Sequence, residues 1–333
     1  MTTMRERVPP DDFSPRGDSS ATAPHVPDAL RLRLGTRASA LARWQAEWVA
    51  AELAQLGVEV ELIHVSTQGD ISARPLGAIG GQGVFTKELQ NALLDGAIDL
   101  AVHSLKDLPT DRVPGLRLAA VPERESTRDV LICRDRDSFA TLPSGACIGT
   151  GSVRRRAQLL YARPDLQIRD IRGNVDTRLR KLDEGQYDAI VLAEAGLKRL
   201  GLAHRITQVL PLELMLSAAG QGALGIEVRD GDAPTIQALA PLDHPPTHAA
   251  VLAERALLAA LQTGCLAPVG VWARAAGAGL QLDAVVLGHE GRHRVAVSRT
   301  GAWEEPQTLG EQAAAELLAQ GAASLIAASR HAE

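Results

Sequence analysis

The chain has 333 residues, a hydrophobic fraction of 45% and a formal net charge of −5. This length predicts two or three domains, because single hydrophobic cores stop growing near about 250–300 residues. The acidic balance and the aromatic fraction of 3% argue against nucleic acid as a partner, since proteins that bind phosphate backbones carry basic surfaces and single-strand binders need aromatic platforms.

The cysteines and the N-terminal segment indicate a compartment. Cys133, Cys147 and Cys265 lie far apart without a CxxC pair, which excludes a disulfide framework and a zinc-site pattern, so we expect a reducing cytoplasm. Residues 1–28 are polar and Pro-rich, which predicts a disordered tail rather than a secretory signal. No apolar run approaches the roughly 18 residues of a membrane helix, so no membrane partner is expected.

Strand and helix patterns alternate through two parts of the chain. In the first, apolar spacing predicts strands at 32–37, 58–65 and 98–102, helices at 38–56 and 85–94, and a Gly-rich loop at 77–83. In the second, it predicts strands at 129–133, 166–171 and 188–193, with helices after Ser152 and at 175–182. A further strand at 223–228 is expected to return to the first part. This order predicts two α/β lobes with a cleft between them.

The pattern changes from Pro245 onwards. The elements predicted here are a helix at 245–261, strands at 269–274, 280–287 and 292–299, and a closing helix at 309–329. Helix, strands and helix in this order predict a small α+β domain. We therefore expect domain one at 29–122 and 223–240, domain two at 128–216, and domain three at 245–333.

A basic cluster follows a turn of small residues at 149–152. The turn predicts a helix start, where free N–H groups and the helix dipole attract anions. Arg154 and Arg155 in that first helical turn oppose the dipole, so something anionic should compensate them. With Arg172 and Arg178 they suit a ligand that has several acidic groups. The alternative is a solvated basic helix face, since 31 of the 35 basic residues are Arg.

Two further segments can carry chemistry. Residues 103–107, His-Ser-Leu-Lys-Asp, follow a predicted buried strand at the sheet edge where ligands bind; an ordinary turn with a Lys–Asp surface pair is equally consistent with the spacing. Cys265 lies on a predicted loop, which suits a nucleophile or an attachment point. Composition alone favours a buried, inert thiol there, as we expect for Cys133 and Cys147. The Gly-rich loop lacks the Lys-Ser/Thr end of a nucleotide motif and is interpreted as a mobile loop over the cleft.

An ordered set of motifs over about residues 30–330 resembles the porphobilinogen deaminase (hydroxymethylbilane synthase) family. The motifs are GTRAS at 35–39, GGQGVFTKEL at 80–89, HSLKD at 103–107, GTGSVRR at 149–155, RGNVDTR at 172–178, AGLKRL at 195–200, GQGA at 220–223 and GCLAP at 264–268. The order of the whole set makes the resemblance more specific than any one motif.

The resemblance implies an enzyme that joins four porphobilinogen molecules head to tail with release of ammonia. It also implies a dipyrromethane primer held by a thioether at Cys265, and a buried carboxylate at Asp107 that stabilises positive charge and mediates proton movement. Carboxylates of the primer and substrate are expected to bind a larger set of residues. This set is Arg37, Ser104, Lys106, Thr150, Ser152, Arg154, Arg155, Arg172, Arg178, Arg199 and Gln221.

Some positions depart from the family pattern. Many relatives carry Lys where this chain has Ala78 and Gln82, Gln where it has Leu266, and Gly where it has Asp176. The leading hypothesis is a monomeric, cytoplasmic deaminase built from two periplasmic-binding-protein-like lobes, with crossing hinge segments and a small third domain. The alternative is a two-lobed protein that binds or senses an anionic solute without catalysis, because the same lobes also describe binding proteins.

Overall fold

The computed structural model describes residues 30–66, 86–135, 137–263 and 267–330. Predictions for the N-terminal tail, the Gly-rich loop at 77–83 and Cys265 lie outside the described residues. Helices pack on three separate β-sheets. The predicted fold class, two α/β lobes and a small C-terminal α+β domain, is confirmed.

Lobe one is built on a five-stranded sheet. Its elements are β1 (Arg31–Thr36), α1 (Ala40–Gln55), β2 (Glu59–His64), α2 (Lys87–Leu94), β3 (Leu100–Ser104), β4 (Leu116–Ala120), β10 (Leu224–Arg229) and α6 (Ala233–Leu239). The strand order is β2-β1-β3-β10-β4, with β1 parallel to β2 and β3. Because β1 and β3 run parallel, their carboxyl ends meet at one edge of the sheet.

The strand predicted at 223–228 does return to lobe one. Ile226 of β10 pairs antiparallel with Val102 of β3 and with Ala120 of β4. The chain therefore crosses between the lobes twice, through residues 121–128 and again through residues 210–223. We call these two stretches the crossing segments.

Lobe two repeats the arrangement. Its elements are β5 (Asp129–Cys133), β6 (Cys147–Gly149), α3 (Val153–Ala162), β7 (Gln167–Arg169), α4 (Val175–Asp183), β8 (Ala189–Ala193), α5 (Glu194–Arg199) and β9 (Gln208–Val209). The strand order is β7-β6-β8-β5-β9. Hydrophobic clusters cover both faces of this sheet, as expected for a sheet layered between helices.

Domain three packs two long helices on an antiparallel sheet. Its elements are α7 (Pro245–Ala260), β11 (Val269–Ala276), β12 (Gly279–Leu287), β13 (Arg294–Gly301), α8 (Pro306–Ala319) and α9 (Ala322–Arg330). α7 and α8 approach closely at Gly310, where an added Cβ would overlap the carbonyl oxygen of Ala253. Across the described ranges, no helix combines the length and apolar character needed to span a bilayer.

The single closing helix predicted at 309–329 is wrong. The structure has two helices, and α8 ends before Gly321, which adopts a positive φ of 95°. Its N–H donates to the carbonyl of Leu318 at 3.0 Å. A glycine in the left-handed region just past a helix terminus satisfies free carbonyls and turns the chain, so the apolar spacing continues while the helix does not.

Candidate active site

The segment at 103–107 lies where the sequence predicted, at the carboxyl end of buried β3. Leu105–Asp107 form a short 3-10 turn, and the Leu105 N–H donates to the carbonyl of Ala223 in the second crossing segment at 3.0 Å. Lys106 is half-buried, whereas Asp107 is exposed. The expectation of a buried carboxylate is therefore wrong, because Asp107 ends a turn beyond the packed edge of the sheet.

The turn at 149–152 joins β6 to α3, as predicted from its small residues. Ser152 is the N-cap, and its hydroxyl accepts a hydrogen bond from the Arg155 N–H at 3.4 Å. The buried Thr150 hydroxyl accepts from the Ser152 N–H at 3.2 Å. Both predicted hydroxyls thus shape the helix start, which is where N–H groups can receive an anion.

Arg154 and Arg155 converge on the fully buried carboxylate of Asp129. Arg154 Nη1 donates to Oδ2 at 2.8 Å, while Arg155 donates to Oδ1 through Nε at 3.1 Å and Nη2 at 2.7 Å. Burial alone would raise the pKa of Asp129, but the two guanidinium groups outweigh it and hold that pKa well below its usual range. The anion that compensates two cations in the first turn of a helix is therefore part of the protein.

Gln221 of the second crossing segment completes this buried cluster. Its amide Nε2 donates to the carbonyl of Thr127 at 2.7 Å and to Oδ1 of Asp129 at 3.0 Å. The side chain has no exposed surface. The assignment of Gln221, Arg154 and Arg155 to ligand carboxylates stays a prediction, and in this geometry each of the three side chains donates to Asp129.

Two predicted cations, one from each lobe, interact electrostatically with Asp107. Burial, together with the neighbouring Arg155 and Arg172, lowers the pKa of Arg178 to about 10 against the opposing effect of Asp107. Burial likewise lowers the pKa of Lys106 to about 8, with Asp107 raising it and Arg155 lowering it. These electrostatic interactions require short separations, so the structure brings Lys106 and Asp107 of lobe one to the basic residues of lobe two.

Three further predicted residues lie at the ends of elements in the two lobes. Arg199 of α5 donates to the Gly222 carbonyl at 2.7 Å and stacks 5.7 Å from the ring centroid of Trp44. Ser104 accepts a hydrogen bond from Gln45 at 2.8 Å, and half-buried Arg37 follows β1 at the same sheet edge.

Sequence reasoning missed the role of Asp129. The available signal was a carboxylate at the first position of the apolar strand Asp129–Cys133, since a charge at such a position must be paired if it is buried. Its partners lie 25 and 26 residues further along the chain, beyond what local spacing can indicate.

A separate cleft lies between lobe two and domain three. It has a volume of about 560 Å³ and its lining includes Tyr161, Trp272, Arg274 and Arg294. Asp107 and the predicted carboxylate-binding residues do not line it. The candidate active site is the interlobe cluster around Asp107, because this cluster brings the predicted carboxylate to predicted basic residues.

Two family models match the chain. The model described as "Porphobilinogen deaminase, dipyromethane cofactor binding domain" matches residues 32–237, and "Porphobilinogen deaminase, C-terminal domain" matches residues 248–319. Among solved structures, the methionine binding protein MetQ matches with a TM-score of 0.42 and 16% identity over 64% of this chain and 89% of that chain. That similarity is too low to add to the fold described above.

Curated relatives match over most of their length. The chain is 49% identical to porphobilinogen deaminase of Syntrophotalea carbinolica over 89% of this chain and 95% of that protein. It is 47% identical to the Pelobacter propionicus protein of the same name over 89% and 96%, and 46% identical to that of Moorella thermoacetica over 89% and 96%. The chain belongs to the porphobilinogen deaminase family.

Proposed function

We propose that this protein joins four porphobilinogen molecules head to tail, releases one ammonia for each, and delivers hydroxymethylbilane. The observation that carries the proposal is the exposed carboxylate of Asp107, which interacts electrostatically with Lys106 of its own lobe and with Arg178 of lobe two. A substrate with acidic side chains needs such cations for binding, while positive charge that develops on its pyrrole needs a carboxylate.

The residues around Asp107 fit the dipyrromethane cofactor that the matched family model names. Burial lowers the pKa of Lys106, Arg178 and Arg199, so their charged forms are poorly solvated and gain stability from an anionic neighbour. We assign the cofactor to a thioether at Cys265. When bound, it supplies the pyrrole carbon to which the first substrate unit is joined.

We divide the predicted carboxylate-binding set into two roles. Residues with half-buried or exposed cationic groups, namely Lys106, Arg37, Arg172, Arg178 and Arg199, bind carboxylates directly, helped by Ser104 and by the helix start at Thr150 and Ser152. Arg154, Arg155 and Gln221 hold that helix start against Asp129 and contribute positive potential from inside the protein. The exposure of the first group and the protein contacts of the second support this division.

Asp107 stabilises positive charge on the substrate pyrrole as ammonia leaves, and its carboxylate oxygen receives the proton that the new bond displaces. The predicted domain limits, a monomeric state and a cytoplasmic location belong to the same proposal. The sheet to which each strand belongs supports the limits, and the free thiols of Cys133 and Cys147 are consistent with a reducing compartment.

The proposal is tested by incubating the purified protein with porphobilinogen and measuring ammonia and hydroxymethylbilane together. We expect four ammonia molecules for each product molecule. Saturable binding of porphobilinogen without release of ammonia would instead identify a two-lobed anion-binding protein and contradict the proposal.

A further inference from the structure

Asp107 lies at the end of a short backbone turn, Leu105–Asp107. In the part of the chain that the structure describes, no hydrogen bond is made to its oxygens, and the side chain is exposed. On either side, Leu105 and Leu108 are buried, and the Leu108 N–H donates to the Leu105 carbonyl at 3.2 Å. The position of the carboxylate therefore depends on what holds residues 105–109.

A guanidinium group from domain three binds this turn just after Asp107. Arg255 of α7 donates through Nη1 to the carbonyl of Leu108 at 2.8 Å and through Nη2 to the carbonyl of Pro109 at 2.5 Å. The two acceptors belong to consecutive residues, so one planar guanidinium group, which we call the fork, binds both carbonyls. Hydrogen bonds from a charged donor in a half-buried place are stronger and more directional than neutral ones.

The helix that carries Arg255 is itself fixed. The adjacent Glu254 is fully buried and binds Arg124 of the first crossing segment at 2.8 and 3.0 Å. It also accepts from the Gly220 N–H of the second crossing segment at 2.7 Å and from the Ala273 N–H of β11 at 2.8 Å. One helix turn thus connects domain three to both crossing segments and to the Asp107 turn.

We infer that Arg255 is a positioning residue for the reaction. It holds the Asp107 turn against α7, and Glu254 binds α7 to the two crossing segments. The inference rests on the proposed function, because the turn needs a fixed position only if Asp107 acts on substrate. Arg255 touches neither reacting atoms nor ligand in this role. A displacement of about 1 Å at a catalytic group can cost about a hundredfold in rate, so loss of the fork should lower kcat without loss of the primer.

The test compares Arg255→Gln, Arg255→Lys and a control, Arg299→Gln. Arg299 is also in domain three and also donates two hydrogen bonds, but they go to the side chains of Glu316 at 3.0 Å and Gln312 at 3.1 Å and not to the Asp107 turn. We measure primer loading by intact mass, the thermal midpoint, kcat and KM for porphobilinogen. We expect Arg255→Gln to keep the primer and to lose at least about tenfold in kcat with KM changed less than about twofold.

Arg255→Lys keeps the charge but can reach only one carbonyl at good geometry, so its kcat should lie between those of wild type and Arg255→Gln. If Arg255→Gln does not fold, Arg255→Lys carries the test. Wild-type kcat in both variants, an equal loss in Arg299→Gln, or a loss confined to KM would overturn the inference. A wild-type protein that releases no ammonia contradicts the proposed function instead, so the two failures are distinguishable.

Discussion

Arg155 donates two hydrogen bonds to a single oxygen of Asp129, at 3.1 and 2.7 Å, and the carboxylate has no exposed surface. The guanidinium that sequence reasoning assigned to a ligand is thus bound to the protein itself. Because Arg154 takes the second oxygen, the start of α3 is held to the first residue of β5. The buried cluster therefore fixes the position of the helix start.

Asp129→Asn should reduce the free energy of unfolding by about 3–5 kcal/mol, since it leaves two buried guanidinium groups without their carboxylate. Urea unfolding measures this change. The matched control is Asp183→Asn, whose exposed pair with Arg205 should be worth about 0–1 kcal/mol. Equal losses in the two variants would show that the buried cluster is not a main source of stability.

The dependence of the free energy of unfolding on pH in the acid range gives a second test of the same cluster. The pKa of Asp129 is lowered in the folded protein, so its ionised form stabilises the fold above the ordinary value near about 4. That contribution is lost as the pH falls below this value towards the lower pKa of the folded state. Unfolding free energies of Asp129→Asn should therefore fall less steeply than wild type below about pH 4.

Asp107→Asn should lower kcat by about 10²- to 10⁴-fold, the usual contribution of a general acid or base. The thermal midpoint and primer loading should stay near wild type, because the side chain is exposed. Asp111→Asn, an exposed acid four residues further on, serves as the control and should retain activity. Near-normal turnover in Asp107→Asn would remove the carboxylate from the mechanism.

Arg178→Gln should raise KM for porphobilinogen by about tenfold to a hundredfold, the value of one charge-assisted hydrogen bond. Arg180→Gln is the matched control, because Arg180 lies two residues away on the same helix and is exposed. Steady-state kinetics on both variants measure the difference. A KM unchanged in Arg178→Gln, or raised equally in both, argues against carboxylate binding at Arg178.

Lys106 should respond to the primer through its pKa. The chain has only four Lys, so 13C-dimethylation and NMR can follow each one. In Cys265→Ser, which lacks the thiol anchor, one signal should titrate near pH 8 and be absent from Lys106→Arg. In the loaded protein, carboxylates nearby favour the charged form, so the same signal should titrate at higher pH. If the pKa of Lys106 is the same in Cys265→Ser and in the loaded protein, Lys106 does not lie near the primer.

Much of the fold was accessible from apolar spacing, because the long elements carry several periods of it. The sequence predicted α1, α7 and the return of β10 to lobe one. The strand β9 was not predicted, because its two residues are too few for a repeating pattern and it forms by pairing with β5. Gly321 ended a helix whose apolar spacing continued beyond it.

The sequence identified which residues form the site but not how they are arranged in space. The motifs collected Asp107 and the basic residues that surround it. They could not separate Arg155, which binds Asp129, from Arg178, which interacts electrostatically with Asp107, since both are arginines beside glycine-rich turns. Arg255 was missed for another reason. Its acceptors are backbone carbonyls 147 and 146 residues away, and a carbonyl acceptor cannot be identified from the residue types in the sequence.

The most direct measurement is the intact mass of the protein before and after mixing with a limiting amount of porphobilinogen. Wild type should carry the mass of one dipyrromethane, absent from Cys265→Ser, and should then gain substrate units one at a time, each without its ammonia. Asp107→Asn should carry the same primer and gain units far more slowly. A wild-type protein of unmodified mass that gains nothing covalent from porphobilinogen would contradict the account.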